Sequence, residues 1–148
     1  MIIDVQKAFD PPPAFVEKLR KYSRRFPCRV FTRFINPPGS LFRTVLKQKS
    51  SAPNSEDTDL LITPQPGDIV INKASYGLKS KDLRRLYRHG IKRITVCGLD
   101  TDACVLGTMF SLFDGKIECH LKESMCWSSS GLHKPALAII RAQFPETR

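Results

Sequence analysis

Short apolar runs alternate with amphipathic stretches along most of this chain. Residues 1–5 (MIIDV) are apolar apart from one acid and predict a buried strand with Asp4 at its C-terminal end. Three prolines at 11–13 break the chain. Phe15, Val16, Leu19, Tyr22 and Phe26 then recur at helical spacing, which predicts a helix with one buried face. Residues 28–34 (CRVFTRF) read as a second strand, ended by Asn36, Pro37, Pro38 and Gly39. Residues 68–73 (DIVINK) read as a third strand with Lys73 at its end. A helix over 80–89 should turn Leu83, Leu86 and Tyr87 inward and stop at Gly90. In the stretch 93–109, β-branched Ile94, Thr95 and Val96 predict a fourth strand that turns at Gly98. A helix should follow, capped by Thr101 or Asp102, with Cys104 in its first turn. A fifth strand over 116–121, a loop over 124–131 and a helix over 135–144 complete the pattern. Residues 40–66 carry the weakest signal: Leu41, Phe42, Val45 and Leu46 suggest a helical turn or two, and 50–59 is polar and loop-like. A long irregular connection of this kind is commonly functional.

Strands separated by helices imply parallel crossovers and a sheet covered on both faces. The expected fold is α/β, a three-layer α/β/α sandwich on a central parallel sheet of about five strands, in one domain spanning 1–148. Composition adds little to this: 41% hydrophobic and 26% charged residues are ordinary for a globular protein. No apolar run approaches the ~20 residues of a membrane helix, and the sequence opens directly in MIIDV without a secretory signal. Five cysteines (28, 97, 104, 119, 126) without CxxC spacing indicate neither a disulfide framework nor a zinc finger. The expected setting is the reducing cytoplasm, without a membrane.

The net charge of +10 bears on possible partners. Lys18, Arg20, Lys21, Arg24 and Arg25 fall in one helix-like segment, and Lys79, Lys81, Arg84, Arg85 and Arg88 in another. No aromatic-interleaved platform accompanies them, so solvated helix faces account for the charge more simply than a nucleic-acid surface does.

Ligand sites of open parallel sheets collect outside the C-terminal ends of the strands. Asp4, Lys73 and Cys104 all sit at or just beyond such ends. Singly, each has a bland role: a turn acid, a solvated lysine, a small core thiol. Together on one rim they make a nucleophile with an acid–base partner and a cation. A thiol in the first turn of a helix faces the positive end of the dipole, so the Cys104 pKa is expected to be lowered.

Three segments carry a resemblance. DVQKAF (4–9) is similar to the D-x-Q-x-x-F of the isochorismatase-like cysteine hydrolases, the superfamily that contains nicotinamidases and N-carbamoylsarcosine amidases. NKASYG (72–77) resembles that family's lysine segment, and GLDTDACV (98–105) follows its G-V-x-T-D-x-C-V signature. The resemblance implies an Asp4–Lys73–Cys104 triad. It also implies a cis Leu99–Asp100 peptide and an oxyanion hole built from the backbone N–H groups of Asp100 and Cys104. Phe9 and Tyr76 are candidate walls for a small flat substrate, with core packing as the competing role for Phe9.

The resemblance has gaps. Nicotinamidases carry an acid and two histidines for a metal after the second strand, whereas residues 32–42 here (TRFINPPGSLF) hold neither residue type. His89, His120 and His133 match no familiar metal set, so no metal and no cofactor are expected. True isochorismatases generally lack the nucleophilic cysteine. Its presence points to C–N hydrolysis of an amide, carbamoyl or ureide compound. The chain ends at FPETR, where the resemblance implies a sixth strand, so the fifth strand should lie open or be covered by another subunit in a homo-oligomer. The alternative is a catalytically weakened relative that binds nucleic acid or another anionic partner through its positive charge.

Overall fold

The computed structural model describes residues 1–145. Its sheet has five strands, all parallel, in the order β3-β2-β1-β4-β5: β1 (Ile2–Ile3), β2 (Val30–Phe34), β3 (Ile69–Lys73), β4 (Arg93–Gly98) and β5 (Glu118–Cys126). The helices are α1 (Pro13–Ser23), α2 (Leu41–Thr44), α3 (Ser80–Arg88), α4 (Leu106–Asp114) and α5 (His133–Gln143). Chain order reverses direction at β1, whose neighbours are β2 and β4. That is the switch point at which doubly wound sheets open a crevice. The alternation of apolar runs and amphipathic helices therefore produced the expected α/β sandwich.

The core explains the pattern residue by residue. Ile2, Ile3, Phe31, Ile71 and Val96 are buried in the sheet, Leu99 is buried just beyond β4, and Leu19, Leu86, Met109 and Leu112 cover the sheet from the helices. Pro13 opens α1 at a position where its missing N–H costs nothing. The Asp82 carboxylate accepts the Lys79 N–H at 3.0 Å and so closes the start of α3. Among the described residues no helix is long and apolar enough to cross a membrane.

Several local expectations shift. Tyr87 is 45% exposed, because its hydroxyl reaches out to donate to the Gly115 carbonyl. Phe26 is 38% exposed beyond the end of α1, where it packs edge-on against Tyr22. The fifth strand runs on to Cys126, since an irregularity between Val96 and Gly98 lets Cys126 pair beside Gly98. The 124–131 loop is shortened accordingly. Neither Thr101 nor Asp102 caps a helix. Residues Thr101–Val105 form a π-helical turn in which the Val105 N–H bonds the Asp100 carbonyl at 3.1 Å, and α4 begins only at Leu106. The expectation about the FPETR end falls largely on residues 146–148, outside the described residues.

Gly98 fixes the register at the switch point. Its φ is +121°, and a Cβ there would lie 2.3 Å from the Ile3 carbonyl oxygen and 2.5 Å from the Ile3 nitrogen. Gly98→Ala combines a forbidden backbone conformation with a clash against β1. It is expected to destabilise the fold by about 3 kcal/mol or more. Urea denaturation checks this, and an unchanged midpoint would show that β1 and β4 are not pinned there.

Candidate active site

Asp4 leaves β1 with φ of +47°, a left-handed conformation that aspartate tolerates better than most residues. Its backbone N–H donates to Thr32 Oγ1 at 3.1 Å, and the Thr32 hydroxyl donates back to Asp4 Oδ1 at 2.6 Å. The second carboxylate oxygen accepts from Lys73 Nζ at 2.6 Å. Both partners of this ion pair are buried. Lys73 stands on β3, two strands from Asp4, and pairs in register with Phe34 of the intervening β2. Its side chain crosses β2 with Nζ 5.6 Å from the centre of the Phe34 ring, and a further Nζ hydrogen goes to the Ser75 carbonyl at 2.9 Å. Burial alone would lower the Lys73 pKa. Asp4 and Cys104 outweigh it and hold the ammonium above its ordinary value.

Cys104 lies in the π-turn after β4, buried, and adjoins both groups. Its thiol is pushed well up, first by burial and then by the Asp4 carboxylate, with only partial relief from Lys73. The expected lowering is thereby overturned. Desolvation and a neighbouring anion act on the sulfur directly, whereas the dipole of a distorted opening turn is a weaker influence. At rest this cysteine is a thiol beside a base.

Gln6 braces the same rim. Its amide donates to the carbonyls of Phe34 and Thr58, both at 3.0 Å, and accepts the Phe34 N–H at 2.7 Å. This accounts for the glutamine two residues after Asp4.

Cys104 opens onto a cavity of about 180 Å³ lined by Phe9, Phe34, Phe42, Gln48, Tyr76, Leu99, Asp100 and Ala103. Both aromatic residues singled out from the sequence, Phe9 and Tyr76, are in that wall. Phe34 and Phe42, which sequence reasoning missed, complete it: their rings meet edge-on at 4.8 Å, and Phe42 meets Tyr76 at 4.9 Å. The peptide between Leu99 and Asp100 is cis, and Asp100 and Cys104 both face the cavity. The Asp100 carboxylate accepts from Ser129 N at 3.0 Å and Ser129 Oγ at 2.9 Å, yet burial still raises its pKa. Thr101 Oγ1 lies 3.1 Å from the Trp127 carbonyl and 2.8 Å from His133 Nδ1.

The end of β2 offers little to a metal. Asn36 is buried and its side-chain nitrogen bonds the carbonyls of Gln48 and Ser50 at 3.0 and 3.1 Å, while its oxygen takes the Ser40 hydroxyl. These are neutral groups already committed to each other and to the loop. Among the described residues no three His, Cys, Asp or Glu side chains group as metal ligands. His120 pairs with exposed Glu118, and His89 ends α3. The donor set does not fit a divalent cation.

The family model for the isochorismatase domain matches residues 2–147. Among solved structures, the chain is similar to an isochorismatase-like hydrolase from Alkaliphilus metalliredigens, with TM-score 0.84 and 16% identity over 97% of this chain and 89% of that one. It is similar to the pyrazinamidase of Pyrococcus horikoshii in complex with zinc, with TM-score 0.83 and 20% identity over 97% and 93% of the two chains. It is also similar to the N-carbamoylsarcosine amidase of Thermoplasma acidophilum, with TM-score 0.78 and 18% identity over 95% and 90%. These likenesses establish the fold. No curated protein matches the chain.

Two outcomes follow from the electrostatics. Lys73 is held above its ordinary 10.5, so its contribution to stability is complete below that pH and is lost as pH rises through the raised value. Lys73→Met strands a buried carboxylate and is expected to cost about 3–5 kcal/mol at neutral pH, read from denaturant midpoints. Iodoacetamide modification of Cys104, followed by peptide mass spectrometry, should still be accelerating at pH 9, above the ordinary thiol pKa of ~8.5. A rate already flat by pH 7 would mean a resting thiolate.

Proposed function

This chain belongs to the isochorismatase family, and from that premise we propose that it is a cysteine hydrolase that cleaves a C–N bond of a small amide, carbamoyl or ureide compound without a metal. One observation carries the reading: the buried Asp4–Lys73 pair adjoins Cys104 at the floor of a small aromatic cavity. The cavity is below the ~300–1,000 Å³ of drug-sized sites and suits a molecule of about one ring. Solved structures of this fold include enzymes named for amide cleavage, pyrazinamidase and N-carbamoylsarcosine amidase, which is the chemistry a thiol beside an acid performs.

The steps follow from proton bookkeeping. Asp4 takes the Cys104 proton as the sulfur attacks the substrate carbonyl carbon. A C–S bond forms and the carbonyl π pair moves onto oxygen. The backbone N–H groups of Asp100 and Cys104 receive that oxyanion, each such donor contributing about 2.7–4 kcal/mol. The oxyanion collapses, the C–N bond breaks, and Asp4 delivers its proton to the departing nitrogen, leaving a thioester. Water then attacks the thioester as Asp4 accepts one of its protons. The C–S bond breaks and the proton returns to sulfur. Lys73 holds one Asp4 oxygen in place through the cycle, and Thr32 fixes the other. Phe9 and Tyr76 hold the substrate's flat portion.

The test is ammonia release from a panel of small primary amides and ureides, with intact-mass detection of a Cys104 adduct. Cys104→Ala and Asp4→Asn are each expected to lower turnover by ~10³-fold or more. Undiminished ammonia release by Cys104→Ala would sink the proposal.

A further inference from the structure

Tyr76 reaches the cavity on a loop that is seated against the helix following the nucleophile, and two glycines make the seat. A Cβ at Gly77 would lie 2.5 Å from the Gly107 carbonyl oxygen and 2.1 Å from Ser111 Oγ. A Cβ at Gly107 would lie 3.0 Å from Tyr76 Cβ and 3.2 Å from the Gly77 nitrogen. Neither glycine needs a left-handed backbone, so what each supplies is absence of bulk. Ser111 bridges the seam: its hydroxyl accepts the Leu78 N–H at 3.0 Å and donates to the Gly107 carbonyl at 2.8 Å. The same loop turns its Ser75 hydroxyl onto the Gly77 carbonyl at 2.8 Å and its Ser75 carbonyl onto Lys73 Nζ at 2.9 Å. One short segment thus carries a wall of the cavity and a ligand of the buried ammonium.

We infer that the Gly77–Gly107 seam is a positioning device that sets the width of the slot above Cys104 and makes it selective for carbonyl compounds with flat substituents. Gly107 lies three residues after Cys104, so the nucleophile's π-turn runs directly into the helix that seats Tyr76. Loop-to-helix distance then fixes the gap between the Tyr76 ring and the sulfur. Phe42, whose ring packs edge-on against Tyr76 with centres 4.9 Å apart, extends the same wall, and buried Leu99 also lines the cavity. Planar groups carried on the carbonyl slide along this aromatic wall, and branched ones collide with it. Tyr76 is 46% exposed and has room to yield outward. An extra methyl at Gly107 displaces it by a few tenths of an ångström, whereas one at Gly77 meets backbone and cannot be absorbed.

The inference rests on the proposed hydrolase reading for its biological meaning, but its test does not need turnover. Cys104 is modified with a flat reagent, 2-iodo-N-phenylacetamide, and a branched one, N-tert-butyl-2-iodoacetamide, and the site-specific rates are compared by peptide mass spectrometry. Gly107→Ala is expected to lower the flat-to-branched rate ratio about fivefold, because small misplacements near a reacting atom change rates by such factors. Ser111→Ala, which removes only the bridging hydroxyl, should lower it in the same direction by less. In a Tyr76→Ala background, Gly107→Ala should leave the ratio unchanged, since the ring it acts through is gone. An unchanged ratio in both single variants overturns the inference. So does an equal shift with and without the Tyr76 ring. Absence of turnover on every amide, with the ratios behaving as expected, counts against the hydrolase reading and leaves the seam in place.

Discussion

The contact between Asp4 and Lys73 is the constraint on which the rest of the site depends. Each ion gives up its water at a cost of several kcal/mol, and attraction between them offsets that cost only when the remaining donors and acceptors are also met. Here they are. Thr32 and Lys73 each bond one Asp4 oxygen, and Lys73 adds the Ser75 carbonyl and the face of Phe34. Because β1 and β3 are not neighbours, the pair ties three strands together at their C-terminal ends, and the ends of those strands form the rim of the cavity. A sheet that shifted by one residue at β3 would remove the lysine from reach and leave a carboxylate buried alone.

The same pair decides how the cysteine behaves. A buried thiol beside a carboxylate is harder to ionise than one in water, and Lys73 only partly compensates. In the proposed reaction the nucleophile is therefore generated when a substrate carbonyl is present to receive the electrons, with the proton moving to Asp4 at that moment. A stable thiolate would be open to oxidation and to any passing electrophile. Burial of Cys104 and its high pKa restrict both while the base stays in place.

Much of this was legible in the chain. Charged residues closing apolar runs placed Asp4 and Lys73 at strand ends, and the turn at Gly98 placed Cys104 on the same rim, because parallel sheets send all such ends one way. What stayed hidden depended on side-chain packing between distant segments. Thr32 reads as an ordinary β-branched strand residue, and nothing local says that its hydroxyl will meet an acid 28 positions away. Phe34 and Phe42 read as core residues, yet they line the cavity, since the loop after β2 folds back across the rim. Cys104 departs from its expected low pKa for a different reason: spacing reveals the helix dipole but not the desolvation that outweighs it. Gly77 and Gly107 look like unremarkable loop and helix glycines until the two segments are seen in contact.

The cavity's electrostatics also bear on the chain's surplus of positive charge. The +10 is a property of exposed surfaces such as the outer face of α3, where Lys81, Arg84, Arg85 and Arg88 are exposed. None of those residues lines the cavity. At its floor a carboxylate and an ammonium cancel, the thiol is neutral, and a further acid, Asp100, is held by Ser129. At the end of β2, Asn36 and Ser40 satisfy one another with uncharged groups. A charged substituent driven into this space would lose its hydration without meeting a free counter-charge, a penalty of several kcal/mol against a few gained from aromatic contact. The proposed substrate is accordingly one whose reacting end is neutral and flat, and any attraction that the basic surface exerts acts on approach rather than on the bond that breaks.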